Sequence, residues 1–261
     1  MIDLHCHILP GLDDGPATVE DSIELARRAV EGGIRKVVAT PHVNDRYGLG
    51  PDDIESAMAD LRRAFEDADV ELELLGGAEI AISRLLELDD AALGRLTLGH
   101  SDSLLVEAPL EPVVGDIESL AARLLDKGHG VLLAHPERSP PFQREPDRLV
   151  RMVEDGALCS ITAGAVEGRF GAPVQRFAFD LLERGLVHDI ASDAHDAWHR
   201  PPDLSTWVEA AEGRVGKGLA DWLTVDAPSA ILGGEPLPAA PAGVEKPVKA
   251  RRFPWPSSRQ G

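Results

Sequence analysis

The chain opens with MIDLHCHILPGLDDGP (residues 1–16), and this stretch holds the pattern that decides the fold. A short apolar run leads into His5, Cys6 and His7, which is typical of the end of a β-strand. Side chains alternate between the two faces of a strand, so His5 and His7 point one way while Cys6 points into the opposite layer. Two imidazoles on one face at a strand end can bind one metal ion, although paired histidines also occur without metal.

Strand-like apolar runs recur along the chain, with helical patterns between them. We predict strands at Ile2–His5, Lys36–Thr40, Leu72–Gly76, Ser103–Glu107, Gly130–His135, Cys159–Thr162 and Leu186–Ser192. Apolar residues at helical spacing fill the intervals, with Ser, Thr, Asp or Pro at entry and Gly at exit. Alternating strands and helices imply a parallel sheet buried on both faces. The 261 residues fit one α/β domain, a barrel one repeat short of the common eight-unit form, with a doubly wound open sheet as the alternative.

Most of the predicted strands end in a residue that can bind a metal ion. After the first strand, these residues are His42, Glu79, Glu107, His135, and the pair Asp193 and His195. Five of the nine histidines therefore fall at equivalent strand ends, which packing alone does not explain. The carboxyl ends of barrel strands are where such folds gather their catalytic groups. Nitrogen and oxygen ligands of this kind predict a site for Zn, Mn or Fe.

Composition excludes several classes of function. The formal charge of −19, from 26 basic and 45 acidic residues, is a poor match for a nucleic-acid backbone, so no nucleic-acid partner is expected. Cys6 and Cys159 cannot form a disulfide framework, and no segment approaches the ~20 apolar residues of a membrane span. Neither cysteine has an arginine six residues on, as cysteine-based phosphatase chemistry requires, since Leu12 and Ala165 stand there. We expect a cytoplasmic protein.

The end of the chain differs from the rest in composition. Residues 239–261 carry several prolines and five basic residues against Glu245 alone. Such a segment cannot bury a core, so we expect a disordered tail. Its charge suits contact with an acidic partner or a membrane surface.

Several short motifs together resemble a known family. They are the opening MIDLHCHILPGLDDGP, ATPH (39–42), AHPER (134–138), TAG (162–164), GRFG (168–171) and SDAH (192–195). In this order they resemble the bacterial tyrosine-protein phosphatases of the polymerase and histidinol phosphatase (PHP) family, the CpsB/YwqE group. The pair of histidines alone would indicate only a metallohydrolase, whereas the opening motif together with RFG and AHPER is far more specific. The resemblance covers residues 1–238 and implies one PHP domain with a distorted (β/α)7 barrel.

The same resemblance implies a centre of up to three divalent ions, Mn²⁺ first, with Fe or Zn as alternatives. Its first ion would be held by His5, His7, Glu79 and Asp193. Its second would be held by Glu79 as a bridge, Glu107 and His135. Its third would be held by Asp14, His42 and His195. Asp13 could exchange roles with Asp14, because Asp-Asp-Gly is also ordinary turn chemistry.

Clustered metal ions lower the pKa of bound water and bind phosphoryl oxygens, so we expect in-line attack on phosphorus by a metal-bridging hydroxide. Arg138 and Arg200 are the candidates for binding the non-bridging oxygens, and a surface salt bridge is the alternative role for each. A tyrosinate leaving group, whose parent pKa is about 10, needs less proton donation than an alkoxide, so no general acid is assigned.

The resemblance implies a protein-tyrosine phosphatase that serves a capsule or exopolysaccharide kinase system. Its partner would be a phosphotyrosine protein, for example a polysaccharide-synthesis tyrosine kinase. A small-molecule phosphatase such as a histidinol phosphatase would share every ligand, and a non-catalytic metal-binding protein is a third possibility. The rim loops select the substrate, and the resemblance departs at residues 45–49 of that rim and at Cys6. Trp198 and His199 either line the pocket or pack within their loop.

Overall fold

The computed structural model describes residues 1–110, 116–208 and 216–241. Most of the predicted tail, residues 242–261, lies outside the described residues, so its disorder and its partner contacts stay predictions. The described chain packs onto the body slightly past Pro238, because Leu237 and Ala240 contact the core. The indole nitrogen of Trp222 also donates a hydrogen bond to the Pro238 carbonyl oxygen at 3.2 Å.

All seven predicted strands form, and two very short strands were not predicted. In chain order the strands are β1 (Ile2–Cys6), β2 (Lys36–Ala39), β3 (His42–Val43), β4 (Glu73–Gly76), β5 (Glu79–Ile80), β6 (Ser103–Glu107), β7 (Gly130–Ala134), β8 (Leu158–Thr162) and β9 (Asp189–Ala191). The unpredicted strands β3 and β5 continue β2 and β4 in the same register, with His42 opposite Glu79 as Lys36 is opposite Glu73. The ladder breaks between them at Pro41, which has no N–H to donate.

Every strand pairing is parallel, and the strand order follows the chain. One sheet has the order β1-β2-β4 and the other β3-β5-β6-β7-β8-β9. The first and last units meet, because His7 N–H donates to the Ala194 carbonyl at 2.8 Å and Asp193 N–H donates to the His5 carbonyl at 2.9 Å. A doubly wound open sheet would instead reverse its strand order at a switch point. The fold is therefore the expected distorted (β/α)7 barrel.

Helices of very different length cover the strands. They are α1 (Val19–Glu31), α2 (Pro51–Asp67), α3 (Ile82–Leu85), α4 (Asp90–Arg95), α5 (Ile117–Asp126), α6 (Pro140–Arg144), α7 (Pro146–Glu154), α8 (Ala163–Glu167), α9 (Ala172–Glu183), α10 (Lys217–Asp221) and α11 (Ala227–Gly233). A 3₁₀ turn at Pro136–Arg138 follows β7, and a π-helical turn at Trp222–Asp226 joins the last two helices. Among the described residues, every helix is too short or too polar to span a lipid bilayer.

The longer helices form for the reasons that their sequence predicts. Thr18 caps α1 with a capping box, in which its side chain accepts from the Asp21 N–H and the Asp21 carboxylate accepts from the Thr18 N–H. Helix α2 begins at Pro51, whose fixed φ suits a first helical position. The face that α2 buries consists of Ile54, Met58, Leu61 and Phe65, whose spacing of three or four residues is that of an apolar helix face.

A small apolar cluster supports the functional end of the barrel. It includes Leu4, Val38, Leu105 and Leu132, all fully buried. Leu105 lies two residues before Glu107 in β6, so the two side chains share one face of the strand. Glu107 therefore lies at the end of the strand face that packs in this apolar cluster.

Candidate metal centre

The histidines at the end of β1 face each other, as the strand alternation predicted. His5 Nε2 lies 3.2 Å from His7 Nε2. The carboxylate of Asp193 lies 3.6 Å from the first and 3.5 Å from the second of these nitrogens. Glu79 Oε2 lies 3.4 Å from both. Cys6 packs into the opposite, apolar layer. The four side chains proposed for the first ion therefore converge on one point.

Glu79 links this group to its neighbours. Its Oε1 lies 2.7 Å from His135 Nε2, and its Oε2 lies 2.9 Å from His42 Nδ1. Potential ligand atoms of His5, Glu79 and His135 lie within 4.8 Å of one another, as do those of His42, Glu79 and Glu107. The buried Glu79 carboxylate is thus placed to bridge two cations. Glu107 groups with His42 rather than directly with His135, which differs in detail from the grouping that the resemblance implied.

Asp14, His42 and His195 form the outer part of the cluster. Asp14 Oδ1 lies 3.3 Å from His195 Nε2 and 3.6 Å from His42 Nε2. His7 joins them, since ligand atoms of all four residues lie within 4.8 Å of one another. The Asp14 side chain is 43% exposed, so this is the solvent-facing side of the centre. The structure brings all nine predicted ligands together, in overlapping rather than separate groups.

The neighbouring carboxylates Asp13 and Asp14 have different positions. Asp13 Oδ2 lies 2.7 Å from His7 Nδ1, the ring nitrogen that faces away from the cluster, and also accepts from the His42 N–H at 2.9 Å. Its other oxygen accepts from the Gly15 N–H at 2.9 Å. A Cβ at Gly15 would overlap the His7 carbonyl oxygen, so only glycine lets this loop approach β1 so closely. Asp14 faces the cluster, and Asp13 orients one of its histidines.

The donor set fits divalent cations. Glu79 Oε2 and His42 Nδ1 are buried and have no hydrogen-bond partner among the described residues, although they lie side by side. Acceptor atoms that converge in a buried site without a donor are costly unless a cation lies among them. His7 and His195 each turn Nε2 toward the cluster while Nδ1 faces an oxygen, of Asp13 and of the Asp193 backbone respectively. That is the orientation in which imidazole binds metal.

The pKa shifts of the clustered side chains also indicate that the site needs positive charge. Burial works to lower the pKa of His7, but the neighbouring carboxylates of Asp13 and Glu79 raise it to about 10. Burial and the neighbouring Glu79 charge raise the pKa of Glu107. Against the effect of burial, the neighbouring His5 and Arg200 hold the pKa of Asp193 well below its usual range. Crowded carboxylates of this kind require compensating positive charge, which protons or metal ions can supply.

Both predicted arginines contact Asp193, which closes the centre on one side. Arg138 Nη1 and Arg200 Nη2 each donate to Asp193 Oδ2 at 2.7 Å. Arg200 also donates to the Asp193 carbonyl oxygen at 3.0 Å. Their shared partner Asp193 is only 3% exposed, so both salt bridges are made to a buried carboxylate, and the binding of phosphoryl oxygens by the two arginines stays a prediction. Both Asp193 and His135 have left-handed backbone conformations, with φ of 51° and 37°, and such local strain often marks a functional site.

Sequence reasoning missed two supporting features. Asp3 is fully buried and accepts from the Ser192 hydroxyl at 2.5 Å and the Ser192 N–H at 3.0 Å, which joins β1 to the segment that carries Asp193. Burial raises the pKa of Asp3 to about 6. Its position, two residues before His5, was a usable signal. The second feature is the ring of Phe170, which lies 4.5 Å from the Arg138 guanidinium carbon.

A pocket opens beside Asp193 and Arg200. It is lined by Ala163, Gly164, Glu167, Arg169, Phe170, Ser192, Asp193, Arg200, Pro201 and Asp203. Trp198 and His199 are not part of this lining. Trp198 is 68% exposed and packs one face against Arg28, whose guanidinium carbon lies 5.3 Å from the ring centre. Tyr47, which is not part of this lining either, stacks on the His42 ring.

A parallel β/α barrel with histidines and carboxylates at its strand ends belongs to the class of metal-dependent hydrolases built on such barrels. The match to a family model is more specific. Residues 1–233 match the model described as capsular polysaccharide synthesis, CpsB/CapC, and the chain belongs to this family.

Individual relatives agree with this membership. The chain is 37% identical to the tyrosine-protein phosphatase YwqE of Bacillus subtilis over 254 residues, which cover 97% of this chain and 98% of YwqE. A solved structure from work on YwqE of B. subtilis and CpsB of Streptococcus pneumoniae, described as unique metal-dependent tyrosine phosphatases, superposes with a TM-score of 0.80. The two chains are 34% identical, and their superposition covers 91% of the chain described here and 96% of the solved one. A histidinol phosphate phosphatase from Lactococcus lactis shares the fold alone, with a TM-score of 0.54, 14% identity, and coverage of 85% of this chain and 95% of that one.

Proposed function

We propose that this protein is a metal-dependent protein-tyrosine phosphatase that acts in capsular or exopolysaccharide synthesis. The observation that carries the proposal is the convergence of nine histidine, aspartate and glutamate side chains around Glu79, with two arginines on Asp193 beside them. Membership of the CpsB/CapC family and the names of the relatives support the substrate class. The reaction is hydrolysis of a phosphotyrosine to tyrosine and inorganic phosphate.

The proposed ligands are the nine residues that converge. They are His5, His7, Asp14, His42, Glu79, Glu107, His135, Asp193 and His195. Bound divalent ions lower the pKa of a water and neutralise charge on the phosphoryl oxygens. Mn²⁺ is the proposed ion, with up to three per chain, because the donors are imidazole and carboxylate with no thiolate among them. Fe and Zn accept the same donors and are the alternatives.

The chain's own residues bind and orient the phosphoryl group. Arg138 uses one nitrogen of its guanidinium on Asp193, and Arg200 does the same, so the other N–H groups of each can bind non-bridging oxygens. Asp193 thereby sets the spacing of the two arginines. Asp13 keeps the proton of His7 on Nδ1, so that Nε2 faces the cluster. We assign no general acid, because a phenolate leaving group departs without one.

The shape of the site supports a polypeptide substrate over a small metabolite. Asp14 and Arg200 are both partly exposed, so the centre is open to solvent on the side of the rim. An open centre admits a phosphotyrosine on a flexible chain, whereas small-metabolite sites more often enclose the ligand. The proposed partner is a phosphotyrosine protein such as a polysaccharide-synthesis tyrosine kinase. We place the activity in the cytoplasm, in keeping with two unpaired, buried cysteines.

A substrate panel tests the proposal. With Mn²⁺ present, kcat/KM is measured for a phosphotyrosyl peptide, the matched phosphoseryl peptide, free phosphotyrosine and histidinol phosphate. We expect the phosphotyrosyl peptide to be the best substrate. Free phosphotyrosine is the matched control, because its leaving group is nearly the same and only the polypeptide is missing. A clear preference for histidinol phosphate would reassign the protein to the small-molecule phosphatases.

A further inference from the structure

The Arg138 side chain is held by two contacts of different kinds. Its Nη1 donates to Asp193 Oδ2 at 2.7 Å, and its guanidinium carbon lies 4.5 Å from the centre of the Phe170 ring. At this distance the cation is attracted by the electron-rich face of the ring. Phe170 follows helix α8, 32 residues along the chain from Arg138, and is itself no ligand. Its half-buried ring borders the pocket beside Asp193.

The local backbone is built to bring the Phe170 ring to this position. A Cβ at Gly164 would lie 3.3 Å from Phe170 Cε2 and 3.2 Å from Arg169 Cδ, so glycine leaves room for the segment to fold back. Gly168 ends helix α8 with φ of 87°, and Gly171 has φ of 89°, both in the left-handed region that favours glycine. Gln175 also donates to the Val166 carbonyl oxygen at 2.8 Å and ties the turn to helix α9. The segment from Gly164 to Gly171 is therefore rigidly shaped.

Arg138 needs this support because its carboxylate contact is shared. Arg200 donates to the same oxygen of Asp193, and Asp193 is a proposed metal ligand through its other oxygen. Arg138 is 19% exposed and its long side chain loses conformational freedom when it is fixed. The Phe170 ring beneath the guanidinium carbon is a second contact that Arg200 does not share, and it limits the movement of Arg138 beside the pocket.

We propose that Phe170 is a positioning residue that holds Arg138 for phosphoryl binding. This rests on the proposed function only in that the site must bind a phosphoryl group. Attraction between a cation and an aromatic ring at a partly desolvated site predicts a loss on the order of 10-fold in phosphate affinity and in kcat/KM when the ring is removed. Tyrosine keeps the ring and should restore both.

The test is a double-mutant cycle on the metal-loaded, full-length protein. Phe170→Leu, Phe170→Tyr, Arg138→Ala and the double variant Phe170→Leu with Arg138→Ala are prepared. For each, the dissociation constant of inorganic phosphate is measured by calorimetry, kcat and KM are measured on an aryl phosphate, and bound ions are counted. Phe65→Leu in helix α2 is the matched control, since it makes the same change in a buried helix face that packs against α1 and β4.

The proposal predicts a loss from Phe170→Leu in the wild-type background, little loss from Phe170→Tyr, and no further loss from Phe170→Leu once Arg138 is alanine. The ion count should stay unchanged. An equal loss in both backgrounds, or none in either, would overturn it. A wild-type protein that binds phosphate but does not hydrolyse phosphotyrosine would contradict the proposed function alone. The dissociation constants of inorganic phosphate in the double-mutant cycle would still test the role of Phe170, because they do not depend on which phosphate ester is the substrate.

Discussion

Replacement of Asp13 by asparagine tests how the protein orients His7 for metal binding. Asp13 Oδ2 receives the proton of His7 Nδ1 at 2.7 Å, and both side chains are fully buried. Asparagine is nearly the same size, but it has no charge and one of its two polar atoms is a donor. Its oxygen can keep the contact with His7 only if its amide nitrogen faces the Gly15 N–H, which now donates to Asp13 Oδ1. The hydrogen bond from Gly15 is therefore lost, and those from the His7 ring and the His42 N–H to the remaining oxygen lose their charge.

The magnitude follows from these contacts. A hydrogen bond to a charged group contributes about 1.5–3 kcal/mol and a neutral one about 1 kcal/mol, so we expect about 1–2 kcal/mol less favourable metal binding. That corresponds to an increase of about 5- to 30-fold in the dissociation constant, similar to other residues that support a ligand histidine.

The assay is calorimetric titration of Mn²⁺ into EDTA-stripped protein, with ions per chain counted at saturation. Asp13→Asn should bind the same number of ions as the wild type, with weaker affinity. Asp14→Asn should instead lose bound ion, because Asp14 is a proposed ligand. Asp52→Asn, which alters a surface partner of Arg95, is the control and should bind like the wild type. Wild-type affinity in Asp13→Asn would refute the role assigned to Asp13.

The remaining predictions concern phosphate binding, pH and substrate choice. Arg200→Ala should lower kcat/KM by about 100-fold with ion content unchanged, whereas the surface variant Arg95→Ala should leave it unaltered. His188 is buried and its pKa is lowered by that burial to about 4, below its value in the unfolded chain. Below about pH 6.5, His188 therefore takes up a proton in the unfolded chain but not in the folded one. The free energy of unfolding falls as pH falls, and at pH 5.5 it is about 1.4 kcal/mol lower than at a pH well above 6.5. In denaturant titrations with EDTA, His188→Asn should lack this part of the pH dependence; an identical pH dependence in both proteins would contradict the reasoning. Trp198→Ala should raise KM for a phosphotyrosyl peptide and leave KM for free phosphotyrosine unchanged, because the exposed indole lies two residues from Arg200. Equal effects on both substrates would exclude a contact between Trp198 and the peptide.

The fold and the converging residues were predictable because their signals are local. Each main strand is an apolar run, and the ligand-type residue follows it directly, as Glu107 follows Leu104 to Val106. Parallel strands bring such positions to one end of the barrel whatever the exact register. The short strands β3 and β5 were not predictable, since two residues carry no periodic pattern. Their pairing depends on the register of β2 with β4.

The roles within the site needed the three-dimensional structure. Asp13 and Asp14 are chemically identical neighbours in a turn, and only the position of the loop against β1 separates the residue that orients His7 from the residue that faces the cluster. The contact of Arg138 with Phe170 joins two motifs far apart in the chain, and no spacing in either motif indicates it. The sequence left the positions of Trp198 and His199 open, and the structure places neither in the pocket lining.

Metal dependence is the central claim, and its most direct measurement is phosphatase activity against bound ions per chain. The protein is stripped with EDTA, its residual metal is determined by elemental analysis, and phosphotyrosyl peptide hydrolysis is followed as Mn²⁺ is returned. We expect activity to disappear with the metal and to return with it, at more than one ion per chain and up to three. Full activity in rigorously metal-free protein would contradict it.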